Sequence, residues 1–138
     1  MKKYVNVSFV YAIFALICGV FYREFTKLNG FTGKTTLGVM HVHLFVLGTI
    51  LFLIIGLYSI MTNIETQKEF KRFFTLYNIS LPFMVIMFMV RGIVQVLGME
   101  VSTGMNAAIS GIAGISHILM MVSIVFLFLA LKKCQKKA

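Results

Sequence analysis

A chain of 138 residues that is 59% hydrophobic and only 12% charged is not an ordinary soluble domain, in which apolar residues make up about 45–50% and charged ones about 25%. Its net charge of +9 would suit a nucleic-acid binder, but the basic residues cluster at the ends of apolar runs and not along one face. That excludes nucleic acid and suits a membrane protein whose loop charges set its topology. Two cysteines, Cys18 and Cys134, provide neither a disulfide framework nor a zinc spacing.

The first apolar run is Tyr4–Tyr22. Lys2 and Lys3 ahead of it imitate a secretory signal, but no small-x-small cleavage site follows and Ala15-Leu16-Ile17 is a poor lipoprotein lead to Cys18, so a retained helix is expected. The stretch Gly33-Lys34-Thr35-Thr36 echoes a phosphate loop, yet Leu28 stands where its first Gly belongs. Thr35 and Thr36 read better as N-caps of the next helix. The second run is Leu37–Met61, the third Thr75–Leu97 and the fourth Ala107–Leu131. Each has about the 20 residues that span a bilayer. Backbone groups in lipid must pair within their own segment, so four helices are expected. The connections Arg23–Thr36, Thr62–Phe74 and Gly98–Asn106 are short enough to join antiparallel neighbours. The fold class is therefore all-α, a single integral membrane four-helix bundle over residues 1–138. Pro82 should bend the third helix. The sequons at Asn6 and Asn78 are formal matches only, because both fall in or beside helix ends on the basic side.

Orientation follows from the cations. One side carries Lys2, Lys3, Lys68, Lys71, Arg72, Lys132, Lys133, Lys136 and Lys137, and the other only Arg23, Lys27 and Lys34. Both termini should face the cytoplasm of a cell-membrane, multi-pass protein.

All three histidines lie in apolar runs: His41 and His43 in the second, His117 in the fourth. Ionisable groups at that depth are costly and mark function by default. At 1.5 Å per residue His43 stands about 9 Å, Arg91 about 8 Å and His117 about 3 Å outward of the midplane, so three imidazoles and a guanidinium share one leaflet. His41 and His43 point about 160° apart on their helix. The His41 face continues through Phe45, Gly48, Phe52 and Gly56, and the His117 face carries Ser110, Gly114 and Met121, with Gly111 beside them. Such glycines would let a flat ligand lie against backbone, or equally let helices pack closely. Axial imidazole, apolar walls and a cation for propionates are what a b-type haem needs. His117 would pair with His41 or His43; depth favours His43 and the glycine face favours His41. Arg91 is the propionate candidate, supported by Tyr22 and Arg23, with Gln95 a weaker contributor.

The stretch His41-Val42-His43-Leu44-Phe45-Val46, with Gly48 and Gly56 following, resembles the His-x-His helix of the haem–copper oxidase and nitric oxide reductase core subunit. That resemblance implies that His41 and His43 are each potential axial ligands reaching different haems. It covers one helix, and this chain has no further histidines for a copper or non-haem iron centre. Length and pattern also resemble small, functionally unassigned four-helix bacterial membrane proteins with a His-x-His helix.

The expected role is haem b binding in electron transfer, haem handling or gas sensing, with a homodimer and a redox partner as companions. An alternative is a copper or zinc site using His41 or His43, His117 and Met40 or Met121. A small proton-coupled transporter would need an intramembrane carboxylate, and Glu24, Glu65, Glu69 and Glu100 are all expected in loops. An accessory subunit is the remaining alternative. No nucleophile–base pair or acid pair indicates hydrolytic or transferase chemistry.

Overall fold

The computed structural model describes residues 1–137. Among them are four long helices, α1 (Lys2–Leu28), α2 (Leu37–Met61), α3 (Lys68–Val96) and α4 (Thr103–Lys133), all long and apolar enough to cross a membrane. A single 3-10 turn, Ile64–Thr66, lies between α2 and α3. Only α2 ends where its apolar run ends. α1 and α4 exceed their runs at both ends and α3 exceeds its run at the start, because hydropathy marks only the part that lipid can cover. In α1 the backbone continues past Arg23 until Gly30 takes φ +59°, and Phe31 N–H then bonds the Thr26 carbonyl at 2.9 Å. Gly98 ends α3 the same way, with Met99 N–H on the Val94 carbonyl at 3.1 Å. This glycine-terminated arrangement satisfies carbonyls that the last helical turn leaves free. At the start of α4 the Ser102 hydroxyl accepts from Met105 N–H. Glu24 and Glu69 consequently lie inside helix ends and not in loops; they pair with Arg23 and Lys133.

The packing follows chain order: α1 against α2, the first half of α2 against α3, and α3 along α4. Between α1 and α2, rings fill gaps left by glycines. Tyr4 lies against Gly56, Tyr11 against Gly48 and Tyr22 against Gly38, while His41 of α2 lies against Gly19 of α1. A Cβ at Gly48 would stand 2.5 Å from Cγ of Tyr11, so only glycine fits there. Close approach over small residues is the main source of helix association in lipid, where apolar burial gives no driving force. An aromatic core closes the end that carries both termini. Phe52 stacks on Tyr11 at 5.8 Å and meets Phe74 and Tyr77 edge-on.

Within α2, residues Leu44–Ile50 form a π-helical segment. Its wider turns tilt carbonyls outward, and two neighbours meet them. Tyr77 Oη donates to the Leu47 carbonyl at 2.8 Å and Ser8 Oγ to that of Thr49 at 2.9 Å. Pro82 sits inside an α3 that runs unbroken from Lys68 to Val96. At the terminus end the tail is tied down, with Asn63 N–H on the Gln135 carbonyl and Lys137 N–H on that of Met61.

Candidate functional site

The α2 start is stapled to α3, and this fixes the height of both α2 histidines. Thr35 Oγ1 donates to the Gly92 carbonyl at 3.2 Å and Thr36 Oγ1 to that of Phe88 at 2.8 Å. Thr36 N–H is received by Gln95 Oε1 at 2.9 Å. The capping expectation is thus corrected in detail. Thr36 makes no side-chain cap of its own; Gln95 supplies the acceptor from another helix, and Thr35 accepts from Leu37 N–H. Gln95 is a cap, not a contributor to a cofactor site. Gly92 allows this docking, since a Cβ there would stand 2.6 Å from Leu37 Cγ and 2.7 Å from its backbone nitrogen.

So placed, His43 and His117 share one neighbour. The His43 ring meets Phe88 of α3 edge-on at 4.8 Å, and Phe88 meets His117 at 5.8 Å. Nδ1 of His43 lies 2.8 Å from the Val39 carbonyl, and Nδ1 of His117 lies 2.8 Å from that of Ala113. A carbonyl can only accept, so both rings carry a proton on Nδ1. In the neutral ring Nε2 then presents the lone pair, the arrangement found where a histidine ligates a metal and anchors its other nitrogen on backbone. His43 is half-buried and His117 exposed. One turn from Phe88, half-buried Arg91 donates to Asn106 Oδ1 and Ser110 Oγ of α4. No carboxylate pairs with it among the described residues. On α4, a Cβ at Gly111 or Gly114 would meet nothing within 4 Å, so this face is open beside His117.

The other candidates are elsewhere. His41 is turned to α1, against Gly19, with Nδ1 buried and without a hydrogen-bond partner. The glycine face on its side holds no space for a macrocycle: Tyr11 fills the gap at Gly48, and Tyr22 packs over Gly38. Arg23 pairs with Glu24 at 2.8 Å. Gly48 and Tyr22 are thus engaged in the α1–α2 packing and Arg23 in an ion pair. The two histidines of α2 meet different neighbours, His41 the α1 backbone at Gly19 and His43 the Phe88 ring of α3. For copper or zinc, Met40 is fully buried whereas Met121 is 60% exposed. No group of three or more His, Cys, Asp or Glu side chains able to hold a metal ion is gathered among the described residues. A cavity of about 540 Å³ between α1 and α3 is lined by none of the histidines.

Sequence reasoning missed Phe88, whose aromatic character is unremarkable in a run so rich in apolar residues. It also missed Asn106, although a polar residue fifteen positions after Arg91, just across the α3–α4 turn, was the available signal. Residues 1–134 match the model of a family described as Protein of unknown function (DUF2871). The chain belongs to that family. No curated protein and no solved structure matches it. In this DUF2871 protein the elements that could act chemically are thus the two Nε2 atoms around Phe88, the Arg91 cation and the open glycine face of α4.

Proposed function

We propose that the protein binds a b-type haem in the membrane through His43 of α2 and His117 of α4. The observation that carries the reading is the shared tautomer: both imidazoles anchor Nδ1 on their own helix and leave Nε2 free, on either helix flanking Phe88. Porphyrin supplies four of the iron's donors, so two imidazoles suffice where a bare copper or zinc ion would call for more protein ligands. Arg91, uncompensated by any carboxylate among the described residues, supplies the cation that suits propionates. Gly111 and Gly114 leave room for a flat apolar ring. Phe88, against both imidazoles, is the side chain that would have to move for both to hold one group. When bound, such a group supplies one-electron redox chemistry. The chain's own residues orient the imidazoles, hold their Nδ1 protons on carbonyls and exclude water. A haem held by both His43 and His117 would be suited to electron transfer rather than gas sensing. The resemblance of His41-x-His43 to the oxidase helix supports His43 as a ligand, and the excess of lysine at the terminus end supports cytoplasmic termini in a cell membrane.

The test is spectroscopic. Protein purified from haem-replete cells, or titrated with haemin in detergent, should show a sharp Soret band with resolved α and β bands on reduction. His43→Ala and His117→Ala should each abolish the six-coordinate spectrum, while His41→Ala should retain it. Colourless protein that takes up no haemin in a saturable way would end the proposal.

A further inference from the structure

We infer that the groove between α1 and α3 is a binding site for one acyl chain of an anionic phospholipid, whose phosphate is held at the mouth by Lys3 and Lys71. The groove holds about 540 Å³, within the usual range of small-molecule sites, and no histidine lines it. Its α1 wall runs from Asn6 through Tyr11 to Cys18, and its α3 wall from Asn78 through Pro82 to Met89. At 1.5 Å per residue each wall is roughly 16–18 Å long. Half of a hydrocarbon core of roughly 30 Å is about 15 Å, so the groove matches one chain of one leaflet.

The chemistry along the groove is ordered as a phospholipid is ordered. At the mouth stands Lys3, one turn before Asn6 and Val7, with Nζ 3.9 Å from the centroid of the Phe74 ring on the opposite wall. Exposed Lys71 lies on the α3 stripe that continues through Phe74 and Asn78, and it also lines the neighbouring groove with Arg72 and Phe126 of α4. One turn further in is Asn6, an exposed amide with no hydrogen-bond partner among the described residues, free to donate to an ester carbonyl. Asn78, by contrast, is already occupied: its Oδ1 accepts from Tyr11 and its amide donates to the Phe74 carbonyl. Beyond them the walls are hydrocarbon, from Val7 and Val10 to Val85 and Met89, with Leu44 as floor. Ammonium, amide, hydrocarbon is the complement of phosphate, ester, acyl chain. A zwitterionic headgroup would bring its own ammonium beside the two lysines and cancel the charge its phosphate offers them, which is why the occupant is anionic.

The protein is reconstituted in vesicles of equimolar phosphatidylcholine and phosphatidylglycerol, extracted in mild detergent and weighed by native mass spectrometry. One phosphatidylglycerol should be retained in preference to phosphatidylcholine. Lys3→Gln and Lys71→Gln should each reduce that preference roughly fivefold. Val10→Phe, on an exposed groove position, should expel the lipid while leaving thermal stability unchanged. Equal retention of the two lipids, indicating general bilayer contact, would overturn the inference. So would displacement of the lipid by inorganic phosphate with Val10→Phe without effect, which would indicate an anion at the lysines and no use of the groove.

Discussion

The two halves of this molecule treat small residues in opposite ways. Along α1 and α2, each glycine of the second helix faces a ring of the first, and the gap is closed: Gly56 by Tyr4, Gly48 by Tyr11, Gly38 by Tyr22. Along the loop half of α4, Gly111 and Gly114 face nothing within 4 Å, and the imidazole beside them is exposed. Both patterns read alike in the sequence, as small residues recurring on a helix near a histidine. The difference shows that a glycine stripe in a membrane helix identifies a place where something comes close, and only the neighbour's side chains determine whether that thing is another helix. Tyrosine decides it for α2. No counterpart exists for α4, and the face that remains open is the one that carries His117.

The comparison breaks most visibly if the closed gaps tolerate a methyl group. Gly92→Ala should be the most damaging, since the added Cβ would meet Leu37 backbone as well as its side chain and the staple of α2 onto α3 would have to open. Gly48→Ala should follow, because the atoms it meets are the Cβ and Cγ of Tyr11, close to that residue's own backbone. Overpacking of this kind costs about 1–3 kcal/mol, readable as a fall in the midpoint of thermal or SDS unfolding followed by circular dichroism. A Gly48→Ala protein as stable as the parent would mean that α1 and α2 are not held at this distance.

A smaller effect tests why the α2 backbone widens at Leu44–Ile50 directly after His43. Fully buried Tyr77 reaches the Leu47 carbonyl from α3. Tyr77→Phe removes that donor while keeping the ring, and should cost about 1 kcal/mol. Amide hydrogen exchange over Leu47–Phe52 should quicken in the same variant while exchange in α1 is unchanged. Exchange unaltered in that segment would show that the wide turns hold themselves.

How much of this was legible beforehand depends on which force was asked. Hydropathy sees lipid, and it found four spans and both ends of α2. It could not see the two turns of α3 from Lys68 to Phe74, where charged and aromatic residues continue the helix into the headgroup region, nor the reach of α1 from Arg23 to Leu28. The α1 end depends on Gly30, as the α3 end does on Gly98 and the α4 start on Ser102, capping chemistry that hydropathy does not register. Neither the Asn106 partner of Arg91 nor the Gln95 cap of α2 was readable, because both act across helices, and a π-helical insertion alters helical phase with no mark in the composition. The same limit holds for Gly48 and Tyr22: a face can be drawn from one helix, but its occupant belongs to another.

The smallest expected change sharpens the comparison most. Gly114→Ala places a methyl group where nothing lies within 4 Å, and alanine is the better helix former by about 1 kcal/mol in water, so stability should hold or rise slightly. The consequence for haemin depends on what the open face is for. If the macrocycle lies against it, a methyl at Gly114 is a small intrusion and Gly114→Leu a large one, so haemin affinity should fall in that order while the unfolding midpoint stays level. If the face is instead covered by a second copy of the chain, Gly114→Leu should weaken the assembly seen by light scattering and leave the spectrum of the monomer intact. Affinity and assembly are separate measurements, and only a fall in the first with the second unmoved makes the open glycines of α4 a ligand surface, in contrast to the filled ones of α2.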